Sequence, residues 1–246
     1  MIVAAYVVHY GSDYIAYSIK SVYDHVDRIF INYASSPSHG QSSNLVNPDP
    51  KQNIVDAIRD VDPEHKIDVA EGTYANEGQH RDCAVHKYSN ADIILTVDTD
   101  EIWDGETLDK CLKWVGTQQS YYYLMSFIHF WRSFGYIVTD EMMPVRFCKP
   151  KCAKGTTAYV PREFGHVYHF GYARKPDQIN YKISCHGHKN EWRNEWYDEV
   201  FMKWPQNREM GDLHPTHAAP WKAKPYDRNQ LPQVLHKHPY FDLDTI

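Results

Sequence analysis

The chain opens with an apolar run, Ile2 to His9, closed by Gly11-Ser12-Asp13. A run without polar interruption predicts a strand buried on both faces, and the small polar triplet after it suits a helix cap. Ile15, Ile19, Val22 and Val26 then recur at steps of four, three and four, which is one helical face. Arg28 to Asn32 predicts a second strand. Ala34 to Pro50 is rich in Ser, Asn and Pro and predicts a long loop. Ile54, Ile58 and Val61 mark a second helix, Ile67 and Val69 a third strand, and Glu77 to Tyr88 a third helix. Ile93 to Val97 is a fourth apolar run, ending abruptly at Asp98. Four alternations of strand and helix with short gaps predict parallel strands joined by crossover helices, an α/β sheet.

Beyond Asp100 the rhythm changes. Leu108, Cys111, Leu112 and Val115 form a helix face, and Tyr121 to Trp131 predicts one long aromatic strand. Val145 to Cys148 and His166 to Phe170 predict further strands, and Pro176 suits the first turn of a helix. Trp192, Trp196, Val200 and Trp204 repeat every four residues and predict an aromatic helix. From Pro205 to Ile246 the chain is rich in Pro and His without strong periodicity, as a segment that wraps the domain or shapes a cleft would be. No internal repeat is present.

The formal charge of a chain of 246 residues, −6, argues against a protein that coats nucleic acid. The charge is uneven: from Arg146 to Arg193 ten Lys and Arg face Glu163, Asp177 and Glu191 alone. That local excess is suited to phosphates of a donor or acceptor. The five cysteines have no recurring spacing. With an odd number and no apolar run of membrane-spanning length, and with Met1 to Ala5 reading as a first strand, the expectation is a cytoplasmic protein with reduced thiols. Cys185, His186 and His188 hint at a transition-metal site, but no fourth ligand stands at a telling spacing.

The candidate chemistry sits at the end of the fourth strand. In Ile93-Ile-Leu-Thr-Val-Asp-Thr-Asp-Glu101 the alternate carboxylates Asp98 and Asp100 share a face if the chain stays extended. Hard divalent cations take oxygen ligands and share them with substrate phosphates. An acidic strand-to-loop exit, with residues Glu101 to Asp104 capping the next helix, accounts for the same carboxylates. In parallel sheets ligands bind beyond the carboxyl ends of strands; His9 and Tyr10, and Asn32, stand at two other such ends and are candidate donor-binding residues.

With these elements in place, the chain resembles the GT-A glycosyltransferases, especially the broad family-2-like group. The likeness is carried by Ile93 to Trp103, by the preceding Asn76-Glu-Gly-Gln-His-Arg-Asp-Cys-Ala84, and by Val167-Tyr-His-Phe-Gly-Tyr-Ala-Arg174. It implies a GT-A-like, Rossmann-related mixed sheet with a parallel N-terminal half: a transferase core over residues 1–175 and a helical and irregular extension over 176–246. It implies a nucleotide-sugar donor, a UDP-sugar foremost, with Mn²⁺ or Mg²⁺ bridging its phosphates. Asp100 would bind the ion, Asp98 the ribose or the ion's water shell, His169 the ion as a third ligand, and Arg81 the diphosphate or base. An inverting member needs a carboxylate to take the acceptor proton. Glu163, in Pro161-Arg-Glu-Phe-Gly165, is the candidate by order along the chain; Asp140, Glu141 and Glu191 compete. The acidic cluster the family carries after its second strand is absent: the chain reads Asn32-Tyr33-Ala34-Ser35-Ser36 there.

The acceptor is open at this stage: a glycan, a lipid-linked sugar, or an anionic polymer such as modified DNA held by the basic stretch. A nucleotidyltransferase would also place carboxylates at strand ends, but it carries a glycine-rich basic loop near the first strand that His9-Tyr10-Gly11-Ser12-Asp13 matches poorly. A sugar-nucleotide-binding module without catalysis is the remaining alternative.

Overall fold

The computed structural model describes residues 1–38, 43–138, 142–217 and 221–246. The N-terminal half alternates strand and helix as expected: β1 (Ile2–Val8), α1 (Ile15–Val22), β2 (Arg28–Ala34), α2 (Lys51–Ile58), β3 (Ile67–Gly72), α3 (Glu77–Lys87) and β4 (Ile93–Asp98). Then follow β5 (Glu101–Ile102), α4 (Gly105–Thr117), β6 (Tyr122–Leu124), β7 (Phe127–Trp131), β8 (Tyr136–Val138), β9 (Val145–Cys148), β10 (Thr157–Tyr159), β11 (Val167–Tyr172), α5 (Pro176–Cys185) and β12 (Lys224–Pro225). A seven-stranded sheet has the order β10-β6-β9-β4-β1-β2-β3. Its half from β4 to β3 is parallel, and β9 joins β4 antiparallel. A second, five-stranded sheet has the order β12-β8-β7-β11-β5.

The apolar runs are unbroken because the parallel strands are covered on both faces. Ala4, Tyr6 and Val8 of β1 pack with Ile15 and Ile19 of α1, Ile54 of α2 and Leu108 of α4. Val3 and Ala5, pointing the other way, pack with Ala84 of α3. The period-two alternation thus separates two cores, neither of which meets water.

Several elements depart from expectation. The aromatic stretch from Tyr121 is not one strand: β6 lies in the large sheet and β7 in the small one. The chain changes sheet at Met125 and Ser126, whose backbone groups pair with Pro144 and Val167. The Trp192–Trp204 repeat does not make one helix. Glu195 takes φ 62°, outside helical space, and only short turns form at Lys189–Glu191, Tyr197–Phe201 and Trp204–Gln206. Trp196 and Trp204 are still buried, packed with Trp131 of β7; the periodicity recorded burial without helix. The triplet Gly11-Ser12-Asp13 does not cap α1 by a side chain. Asp49 instead accepts from the Gly11 and Ser12 amides, both at 2.6 Å.

Described residues beyond 205 lie against the second sheet. Leu231, Leu235 and Tyr240 pack with Phe130, Phe134 and Phe170, and the Ile246 amide donates to the Arg132 carbonyl at 2.7 Å. All five cysteines are free. Among the described residues no helix is long and apolar enough to cross a membrane.

Candidate functional site

Strands β1 and β4 run side by side with Val7 opposite Asp98. From β1 the sheet proceeds to β2 and β3 on one side, while β4 lies on the other. A crevice opens beyond the carboxyl ends of β1 and β4, the place where such sheets bind ligands. A cavity of about 520 Å³ occupies that crevice, lined by His9 and Tyr10 from the first loop and by Asp98, Thr99 and Asp100 from the second. The two loops touch. Gly11 adopts φ +123°, and a Cβ there would lie 2.0 Å from Thr99 Oγ1, so only glycine allows this approach.

Each carboxylate of the motif has a cationic partner, and Asp98 and Glu101 share one. Asp98 accepts from Arg146 Nη2 at 2.8 Å and from Arg81 Nη2 at 3.2 Å. Asp100 Oδ2 lies 3.1 Å from Arg174 Nη2, and Arg174 also donates to Asp13 at 2.7 Å. Glu101 is wholly buried and takes the other edge of the Arg146 guanidinium through Nε at 3.0 and 2.9 Å. Burial works to raise the carboxyl of Asp98, but Arg81 and Arg146 outweigh it and hold it well below the usual range. Asp100 is likewise brought down to about 2, against its burial, by Arg174 and then His169. Both aspartates are charged at neutral pH without any added ion.

His169 lies in β11 with His129 of β7 directly across. Their Nδ1 atoms are 2.8 Å apart, so one must donate to the other. His169 Nε2 faces Asp100 Oδ1 at 3.7 Å. Burial pushes the His169 imidazole down to about 3, so it is neutral at pH 7. A carboxylate oxygen and a neutral imidazole nitrogen converging in a cavity suit Mn²⁺ or Mg²⁺ that draws its remaining ligands from phosphates. Among the described residues no cluster of three or more His, Cys, Asp or Glu side chains is arranged to hold a metal. Asp98, with an arginine on each oxygen, does not join the pair as a direct ligand. The fit is to a two-ligand site completed by substrate.

The other expected residues divide. Arg81 lines the cavity from α3, bonded to Glu77 as well as Asp98. His9 also lines it. His9 Nδ1–H donates to the Ala34 carbonyl at 2.7 Å, so Nε2 accepts from the Tyr181 hydroxyl at 2.8 Å. The structure does not bring Asn32 to the cavity. Its side chain is buried and spent internally, donating to the His80 carbonyl at 3.0 Å and accepting from the Tyr74 hydroxyl at 2.5 Å. His80 takes its place in the lining. Nor does Glu163 reach the cavity: it is exposed in the short turn Arg162–Phe164. Asp140 and Glu141 lie outside the described residues. Glu191 does line the cavity, at its outer part, 3.0 Å from His188 Nδ1.

Arg146, Arg174 and Lys182 were missed as site residues, though all three belong to the basic stretch visible in the sequence. Only part of that stretch faces solvent, as at Lys154, Arg162 and Lys175. Arg146 and Arg174 are buried at the aspartates. Lys149 donates to the carbonyls of Val115 and Gly116 at the end of α4, both at 3.2 Å. Lys151 pairs with Asp92 at 2.7 Å and Arg193 with Asp212. The outer wall of the cavity carries Trp192, Trp221, Tyr172 and His214 instead.

No protein-family model matches the chain, and no curated protein does. Among solved structures it aligns with S. aureus TarS 1-349 in complex with UDP-GlcNAc, at 13% identity and a TM-score of 0.45, over 85% of this chain and 79% of that one. It also aligns with 4-diphosphocytidyl-2C-methyl-D-erythritol synthase from Anaerococcus prevotii, at 10% identity and a TM-score of 0.37, over 73% of this chain and 93% of that one. Likenesses this distant carry no weight for the activity of this chain.

Proposed function

We propose that this protein is a GT-A-type glycosyltransferase that moves a sugar from a nucleoside-diphosphate donor, UDP-linked foremost, to an acceptor hydroxyl. The observation that carries the proposal is the placement of Asp98 and Asp100, both ionised and arginine-braced, at the crevice between β1 and β4. A diphosphate leaving group brings negative charge to that crevice, and the cavity volume is within the range that holds a nucleotide-sized ligand.

In the transfer, the bond from the sugar carbon to the terminal phosphate oxygen breaks and its electron pair stays on that oxygen. The acceptor oxygen bonds to the same carbon and gives up its proton. A divalent cation held by Asp100 Oδ1, His169 Nε2 and the phosphates would supply electrostatic stabilisation of the departing diphosphate. The protein's own part is preorganisation. Arg174 fixes Asp100 with one oxygen turned to His169, and Arg81 and Arg146 hold Asp98, so little reorganises as charge develops. Glu191 is the cavity carboxylate without an arginine partner among the described residues. It takes the proton-accepting role expected of Glu163, on the outer side, which favours an inverted product.

The aromatic outer wall, and the absence of Lys154, Arg162 and Lys175 from the cavity lining, favour an uncharged acceptor over an anionic polymer. Polymer binding would weaken steeply with salt; transfer by this protein is expected to vary little between 50 and 200 mM salt.

The test is nucleotide release from a set of UDP-, GDP- and ADP-sugars with and without Mn²⁺. One donor should release nucleotide in a metal-dependent way, and Asp100→Asn should lower that rate by about 10²–10³-fold while unfolding at close to the wild-type temperature. Undiminished metal-dependent activity in Asp100→Asn would remove the residue from the mechanism.

A further inference from the structure

Three cationic side chains line the cavity, and two are committed: Arg81 and Arg146 each hold carboxylates. The third, Lys182 of α5, does not. Its ammonium donates to the Gly171 carbonyl at 3.1 Å and lies over the Tyr172 ring at 5.1 Å. Among the described residues no carboxylate comes within ion-pair distance of it, although Asp100 and Asp98 are near enough to act on it through space. Burial lowers its basicity against the pull of Asp100.

A second observation lies in the strand opposite. The pairing of β11 with β7 shifts register between His169 and Tyr172, a local irregularity of the kind that re-aims side chains at functional sites. Gly171 sits at that shift. A Cβ added there would lie 2.7 Å from His169 Nε2 and 3.1 Å from Lys182 Nζ. The bare glycine is therefore what lets the imidazole and the ammonium converge on one spot of the cavity. Just past Lys182 the chain leaves α5 for His188, Glu191 and Trp192, on the outer wall. Lys182 thus stands between the aspartates and the acceptor side.

We infer that Lys182, admitted beside His169 by the bare Gly171, binds the terminal phosphate of a nucleoside diphosphate, the phosphate that carries the sugar. This rests on the donor proposed above and adds a residue to it. The terminal phosphate is where charge appears as the sugar leaves. A half-buried ammonium held ready at the cavity wall gains by meeting that charge.

The experiment is calorimetric titration, in Mn²⁺, of UDP against UMP, and likewise of the GDP, ADP and CDP pairs. Wild-type protein should bind one diphosphate about tenfold or more tightly than its monophosphate, the margin of one charge-assisted hydrogen bond. Lys182→Met should erase most of that margin and leave the monophosphate affinity as it was; Lys182→Gln should behave alike, and serves if the first variant fails to fold. Lys182→Arg should keep part of it. The inference falls if the neutral variants keep the margin, or if they weaken both nucleotides equally. Should the wild type prefer no diphosphate over its monophosphate, the proposed donor itself falls, independently of Lys182.

Discussion

Glu101 shows how a residue can belong to a functional motif and yet serve the structure. It is wholly buried in β5, with its carboxylate held by the edge of Arg146, and the same guanidinium reaches on to Asp98. Burial pushes the Glu101 carboxyl up to about 8 against the pull of Arg146, and Glu101→Gln takes away an acceptor oxygen to which that buried arginine donates. The expected loss is about 3 kcal/mol of unfolding free energy, read as a lower urea midpoint, with donor affinity reduced because Asp98 loses its brace. An unchanged midpoint would mean that Arg146 is satisfied by Asp98 alone. At this scale the sequence was only partly legible. Asp98 and Asp100 stand out by type and alternation, and Arg81 and His169 only through the family resemblance; all four line the same cavity. Glu163 and Glu191 could not be told apart, because only folding decides which of two loop carboxylates faces the cavity. Asn32 was misplaced because a strand end marks the neighbourhood of a site, not the direction of one side chain.

Among the elements, those with local causes were legible. β1 to β4 and their helices follow from apolar periodicity, with errors of a few residues at the ends. Asp104 caps α4 through its side chain, accepting from the Thr107 amide at 2.9 Å, so the capping role foreseen for the residues after the motif exists beside the chemical one. What local pattern cannot reveal is which sheet a strand joins. The Tyr121–Trp131 stretch reads as one strand because its aromatic residues are continuous, yet β6 and β7 pair with different partners far away in sequence. The tryptophan repeat misled for a related reason: spacing by four reports a buried stripe, and Glu195 breaks the helix that would normally produce it. The three missed cations share the same physics, since Arg146, Arg174 and Lys182 come from β9, the end of β11 and α5 and meet only when the second sheet docks.

For the whole molecule, burial of histidines sets an acid limit. His80 lies under the β2 end, donating from Nε2 to the Asn32 carbonyl at 2.8 Å. His238, in the C-terminal segment, donates to the Asp13 carbonyl at 2.9 Å. Burial lowers each from 6.5 to about 4. Both are neutral in the folded state where the unfolded chain would protonate them, so the unfolded state binds more protons and stability falls as pH falls. The contribution is whole above pH 6.5 and is lost from there toward pH 4, at up to about 1.4 kcal/mol per pH unit for each histidine. Asp100, brought down to about 2, adds a separate loss only below its ordinary 3.8. Glu101, which burial pushes up to about 8, works the other way between pH 7 and 4.5, so the decline in unfolding free energy measured in urea over that range should be steeper in Glu101→Gln than in the wild type. A flat profile in Glu101→Gln down to pH 4.5 would show these histidines to be protonated in the fold.

The central claim is that Asp100 and its neighbours receive a divalent ion together with a nucleotide sugar. Thermal unfolding across a set of nucleotide sugars, each with and without Mn²⁺, tests it most directly, because a ligand bound only by the folded state raises the melting temperature. At a concentration one hundred times the dissociation constant the gain is about 2.7 kcal/mol. The expected result is a clear rise with one donor class, seen only when Mn²⁺ is present and absent in Asp100→Asn. No rise with any donor, or the same rise with the metal removed, would contradict the account.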